Sequence, residues 1–129
     1  MSRKVLHLDR NHPVIHEGLE RFGFQNEHDY TSTYEEVFEK IDDYEGLIIR
    51  SRIPIDHKLL TRAINLKFIG RIGAGLENID LETAQKLGIF LAAAPEGDRN
   101  AVAEHALGLL LSLFNKINTA DKEVRSGLW

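Results

Sequence analysis

Cysteine is missing from the chain altogether, which rules out a disulfide framework and a thiolate zinc site and suits a reducing compartment. An excess of positive charge is missing as well. The formal net charge is -4 with no concentrated basic stretch, so a general nucleic-acid surface is excluded and any bound anion must be held locally. Long apolar runs are also lacking. The most apolar segment, ALGLLLSLF from Ala106 to Phe114, falls far short of the roughly 20 residues a spanning helix needs, and Glu104, His105, Asn115 and Lys116 flank it closely. The opening residues, MSRKVLHLDRNHP, contain no signal-peptide core. The expectation is a cytoplasmic protein without membrane or nucleic-acid contacts.

What is present is the balance of a globular domain. With 43% hydrophobic and 28% charged residues in 129, the chain can bury one core and is too short for a second of full size. Apolar segments and helical patterns alternate along it. KVLHLD, QNEHDY, EGLIIRS, LKFIGRIG and IFLAA read as strands, the second of them weak and edge-like. Between them lie HPVIHEGLERFG, with Asn11 or His12 at its cap and Gly23 as its stop, then YEEVFEKID behind Thr33, DHKLLTRAI behind Asp56, and LETAQKLG behind Asp80. A long helix is expected from about Ala101 to beyond Ile117.

A β-α unit repeated five times predicts an α/β fold: a flavodoxin-like, doubly wound, parallel five-stranded sheet with helices on both faces and a long C-terminal helix crossing out of it. Ligands of such sheets bind beyond the carboxyl ends of the strands. The segments to inspect are therefore 9–11, 50–53, 73–78 and 94–100.

The third segment begins Gly73, Ala74, Gly75, Leu76, Glu77, Asn78, and it lacks the third glycine of the dinucleotide fingerprint G-x-G-x-x-G. Two readings remain: a tight turn without ligand, or a loop whose bare backbone N–H groups hold a small anion such as a carboxylate. The neighbouring strand tips the balance toward the anion, because IIRSR sets Arg50 and Ser51 at the same sheet edge, and an arginine leaving an apolar strand presents a fork suited to carboxylate or phosphate. Arg52, Arg71 and Arg99 are read as solvated charges. The histidines at 7, 12, 16, 28, 57 and 105 form no H-E-x-x-H pattern, and no G-x-S-x-G elbow is present, so no catalytic or metal-ligating residue is assigned. Glu104 and His105, adjacent on a helix, do not face each other and are read as structural.

LIIRSR, then GRIGAGLENIDLETAQKLGI, then AAAPEGDRNAVAEHALGLLLSL, in this order and spacing, resemble the amino-terminal part of the D-isomer-specific 2-hydroxyacid dehydrogenases. The likeness is strong over about residues 45 to 129 and is one of fold before that. It implies a substrate-binding domain over 1–100, followed over 101–129 by a crossing helix and the start of a linker to an NAD-binding domain outside the chain. It also implies that Arg50, Ser51, Gly73, Ala74, Gly75 and Asp98 face the substrate, with the Ala74 backbone close to the nicotinamide of NAD. Asp98 is a departure, since the family usually has asparagine there. The family's catalytic arginine, glutamate and histidine have no counterparts before RSGLW.

The resemblance thus implies a substrate-binding fragment of an NAD-dependent oxidoreductase. Its partner would be a small anionic 2-hydroxy or 2-keto acid, with 3-phosphoglycerate of serine biosynthesis expected first. A homodimer through residues 101–118 is expected too, because apolar residues occupy nearly every direction around that helix. The alternative is a stand-alone flavodoxin-like module that binds a small anion or signals without catalysis. A phosphoacceptor receiver is disfavoured, because the strand that would end in aspartate ends in Arg50 and Ser51.

Overall fold

The computed structural model describes residues 3–128; Met1, Ser2 and Trp129, which the expected domain limits include, lie outside the described residues. The chain divides into two compact units, one ending at Pro95 and the other beginning at Glu96.

In the first unit β1 (Arg3–His7), β2 (Phe24–His28), β3 (Gly46–Ile49), β4 (Phe68–Arg71) and β5 (Phe90–Ala93) form one sheet in the order β2-β1-β3-β4-β5, every pair parallel. This is the flavodoxin-like order, with QNEHDY contributing to an edge strand as its polarity predicts. The connecting helices are α1 (Pro13–Arg21), α2 (Tyr34–Lys40), α3 (His57–Arg62) and α4 (Leu81–Lys86), and a 3-10 turn, Ile41–Asp43, follows α2.

Side-chain alternation sorts the two faces of the sheet. Leu6, Leu47, Ile49 and Ile69 point to one face and pack with Val37, Leu59 and Ala84, which come from α2, α3 and α4. Val5, His7 and Ile48 point to the other, where α1 lies over the β1-β2 edge. Because α1 covers one face and the later helices the other, the winding reverses between β1 and β3. In sheets wound this way ligands bind beyond the carboxyl ends of such a strand pair.

The helix starts follow the capping residues. His12 Nδ1 accepts the Val14 N–H at 3.2 Å, so His12 is the cap of α1. Thr33 and Glu36 form a reciprocal capping box, with Glu36 N donating to Thr33 Oγ1 at 3.3 Å and Thr33 N to Glu36 Oε2 at 2.7 Å. Asp56 and Asp80 accept from Leu59 N and Thr83 N at 2.9 and 3.0 Å. Asp56 also accepts the Tyr34 hydroxyl at 2.7 Å, and burial, reinforced by that carboxylate, pushes the Tyr34 phenol up to about 12.

The second unit corrects the expectation of one long helix. It holds α5 (Arg99–Phe114) and α6 (Ile117–Arg125), parted at Lys116, which sits in the left-handed region at φ 50°. The break has a local cause. Asn115 turns its side chain back to the Leu111 carbonyl at 3.0 Å, offering the backbone an alternative to continued helix, and Lys116 closes the end in the conformation a helix stop requires. No helix among the described residues is long and apolar enough to cross a membrane.

Candidate functional site

The loops that leave β3 and β4 are joined to each other at the carboxyl edge of the sheet. Ile72 N donates to Ile49 O at 2.8 Å, Ile55 N to Asn78 O at 2.8 Å, and Asp80 N to Ile55 O at 2.9 Å, the last two forming an isolated parallel bridge between Ile55 and Ile79. The Asn78 side chain adds a cross-tie, its Nδ2 donating to Arg50 O at 3.2 Å and reaching Ile53 O at 3.4 Å. The expected site residues Arg50, Ser51, Gly73, Ala74 and Gly75 thus stand on two loops that share one hydrogen-bonded frame.

From the β1 side, Asp9 Oδ2 accepts the Arg50 N–H at 2.7 Å. Arg50 and Ser51 are exposed, and among the described residues the Arg50 guanidinium makes no hydrogen bond or ion pair. An arginine with a fixed backbone and a free fork is the arrangement that receives a carboxylate or phosphate in bidentate fashion.

The glycine loop is half-buried, and its conformation explains the first glycine. Gly73 has φ +152°, and a Cβ there would lie 2.1 Å from Arg71 Nη1, because the Arg71 side chain runs beneath the loop and donates to Ile72 O at 2.8 Å. The Gly73 carbonyl accepts from Ala94 N at 3.1 Å, tying the loop to the end of β5. The N–H groups of Ala74 and Gly75 have no protein acceptor among the described residues. Two buried polar atoms of the same region, Arg71 Nε and Asn78 Oδ1, are also without partners. The loop thus carries backbone donors without protein acceptors beside the Glu77 carboxylate, which lies against Gly75, and it lacks the third glycine that a pyrophosphate turn would need where Asn78 stands.

Two sequence readings change, those of Arg52 and Arg71. Arg52 is not a solvated charge: its Nε donates to Leu8 O and its Nη2 to Asp29 O, each at 2.9 Å, while its Nη1 donates to Ser32 O, so it staples three carbonyls. Arg71 is committed to the glycine loop. Asp98 precedes α5 in the second unit, and its side chain makes no capping bond.

The histidine reading changes as well. The fold brings His7, His16 and His28 together, with one ring nitrogen from each within 4.8 Å of the others. The linear pattern hides this, because His7 and His28 end different strands and meet only through the β1-β2 register. The signal that could have found them is the pairing of two strand-terminal histidines across a predicted parallel pair.

Residues 5–127 match the family described as D-isomer specific 2-hydroxyacid dehydrogenase, catalytic domain. The chain is similar to the D-3-phosphoglycerate dehydrogenase of Archaeoglobus fulgidus, at 40% identity over 95 residues, which is 74% of this chain and 18% of that one. Among solved structures it is similar to the PH0520 protein of Pyrococcus horikoshii, with TM-score 0.87 and 34% identity over 100% of this chain and 38% of that one. It is also similar to NAD+-bound 3-phosphoglycerate dehydrogenase of Entamoeba histolytica, with TM-score 0.72 and 31% identity over 87% of this chain and 39% of that one. The chain thus spans about a fifth of the length of the curated relative and less than half of either solved one. With the flavodoxin-like strand order and the match over nearly all its residues, the chain belongs to the D-isomer specific 2-hydroxyacid dehydrogenase family.

Proposed function

We propose that this chain is the substrate-binding part of an NAD-dependent D-2-hydroxyacid dehydrogenase, with 3-phosphoglycerate as the preferred acid. The observation that carries the reading is the shared frame at the carboxyl edge of β3 and β4, where the free Arg50 guanidinium and the unpaired N–H groups of Ala74 and Gly75 stand on loops held together by Asn78. The names of the similar D-3-phosphoglycerate dehydrogenases favour a phosphorylated acid. In this reading Gly73, Ala74 and Gly75 receive the carboxylate, and Arg50 and Ser51 receive the remaining oxygens.

The Ala74 backbone would face the nicotinamide of NAD, which would supply the hydride acceptor for C2 of the acid. The residues present fit the acid better than the dinucleotide, since the loop lacks the third glycine, so this chain contributes only the Ala74 backbone to the nicotinamide side and supplies no acid-base residue. The functional division that accompanies this reading is a substrate domain over 1–100 and a crossing segment over 101–129. The exposed apolar residues of α5, among them Leu109, Leu110 and Leu113, support a two-fold homodimer through 101–118. A cytoplasmic enzyme of small-acid metabolism, acting in serine biosynthesis, is part of the same reading.

Chemical-shift titration with 3-phosphoglycerate tests it. Arg50→Ala should weaken binding about tenfold or more. Arg62→Ala, on α3 and paired with Asp42 at 3.1 Å, should leave binding unchanged. Equal responses in the two variants would refute the pocket.

A further inference from the structure

His7 is the last residue of β1 and His28 the last of β2, and the two are register partners. Partners in a parallel pair project to the same face, and α1 lays His16 over them. The ring centroids are 4.6 Å apart for His7 and His16, 4.8 Å for His7 and His28, and 4.5 Å for His16 and His28. The three grade from buried His7 through half-buried His16 to exposed His28, so the cluster opens to solvent on one side.

Simple packing would be served by apolar rings. These three instead have defined polar surroundings, and their hydrogen bonds fix where the ring protons sit. Asn26 Nδ2 donates to His16 O at 3.0 Å and reaches Glu20 Oε1 at 3.3 Å, which turns Asn26 Oδ1 toward His7 Nε2 at 2.7 Å. Asn11 Nδ2 donates to Asp9 O at 3.1 Å, which turns Asn11 Oδ1 toward His16 Nε2 at 2.5 Å. A carboxamide oxygen only accepts, so His7 and His16 both carry their proton on Nε2 and keep the Nδ1 lone pair.

Nδ1 of His7 receives only a long 3.3 Å approach from Asn11 Nδ2, and no hydrogen bond engages Nδ1 of His16 among the described residues. His28 is oriented from outside by the Tyr30 hydroxyl, 3.0 Å from its Nδ1. Imidazoles held by outer acceptors on one nitrogen, with the other left free, match the second shell of histidine metal sites.

We propose that His7, His16 and His28 form a three-nitrogen site for a divalent zinc-class ion, with a water molecule at the fourth position on the open His28 side. Zinc sits about 2.0 to 2.1 Å from imidazole nitrogens in tetrahedral sites, which sets nitrogens about 3.4 Å apart. The cluster therefore closes by somewhat more than about 1 Å, within reach of ring rotations at the half-buried His16 and exposed His28. Such an ion would clamp α1 to the ends of β1 and β2, on the side of the sheet away from the helices that follow β3 and β4.

The test is titration of the EDTA-stripped chain with zinc chloride, followed by calorimetry and by ring-nitrogen NMR. The expected result is one ion per chain with the ring signals of His7, His16 and His28 shifting together, and with cobalt(II) in place of zinc giving the intense visible bands of a four-coordinate site. His28→Ala, at the exposed rim, and His16→Ala should each weaken binding about tenfold or more, while His105→Ala on α5 leaves it unchanged. Backbone NMR spectra establish that each variant is folded, so two unfolded rim variants would leave the wild-type stoichiometry and ring shifts to decide. Absence of saturable binding to the wild-type chain would overturn the proposal. So would binding that survives in a folded rim variant, or binding that shifts the rings of other histidines instead.

Discussion

The carboxylate of Asp9 accepts the backbone N–H of Arg50 at 2.7 Å, joining the second residue after β1 to the first after β3. The bond lies where the winding of the sheet reverses, so the residue that begins the candidate anion loop is positioned by the neighbouring strand. Asp9→Ala removes the only acceptor shown for this N–H and should destabilise the fold by about 1 to 2 kcal/mol, while Asp9→Asn, which keeps an oxygen there, should recover most of the loss. Urea unfolding measures both, and hydrogen exchange at the Arg50 amide reports the bond directly. An Asn variant as weak as the Ala variant would show that charge, not the hydrogen bond, matters.

At Gly73 the backbone angle and the Arg71 side chain both exclude a Cβ. Gly73→Ala is expected to cost about 1 to 3 kcal/mol and to displace the guanidinium from beneath the loop. Gly18→Ala, on α1 with open space around its Cα, is the control and should be neutral or slightly stabilising. Thermal melts distinguish the two, and equal melting temperatures would contradict the crowded geometry.

His7 is held neutral down to about 4, first by burial and then by the neighbouring His16 and His28, against the favourable bond to Asn26. His16 is lowered in the same direction by burial and by His28, with Glu20 and Glu17 opposing. Because the unfolded chain takes up these protons near pH 6.5, stability is complete above that value and falls as the pH drops toward the folded value. In metal-free buffer the loss assigned to His7 between pH 7 and pH 5 is about 2 kcal/mol. Urea midpoints across that range measure it. A flat profile, or one that persists in a folded His7→Gln variant, would place the effect elsewhere.

Leu110 is 47% exposed near the middle of α5, with Leu107 and Phe114 exposed on the turns that flank it. Leu110→Glu should shift the chain from dimer toward monomer, with sedimentation velocity across a dilution series as the readout. A wild-type chain that remains monomeric at the highest concentration, or a variant that associates equally well, would remove the proposed interface.

Local rules made much of the fold legible. Thr33, Asp56 and Asp80 announce their helices because each cap is a contact between residues three apart, and every strand but the polar edge strand β2 follows from a compact apolar run. Arg50 and Ser51 could be placed at the carboxyl edge because they follow the apolar run of β3. The histidine cluster could not be read this way, since it depends on a register between segments about twenty residues apart and on the rotation of α1. Arg50 and Arg52 look alike in sequence, yet one is free and the other reaches three carbonyls from distant turns. The end of α5 turned on a single polar pair, Asn115 and Lys116, which can equally continue a helix.

Arg52 spends its N–H groups on the carbonyls of Leu8, Asp29 and Ser32, but those neutral acceptors leave its positive charge uncancelled. On the proposed reading, an incoming anion senses Arg52 at long range without coordinating it, whereas Arg50 acts at contact. The two influences separate with ionic strength: the Debye length shrinks from about 30 Å at 0.01 M salt to about 8 Å at physiological salt, so added salt suppresses the attraction that guides capture more than the short-range grip. If the anion site is as proposed, the carboxyl edge has one arginine suited to association rate and another suited to residence time.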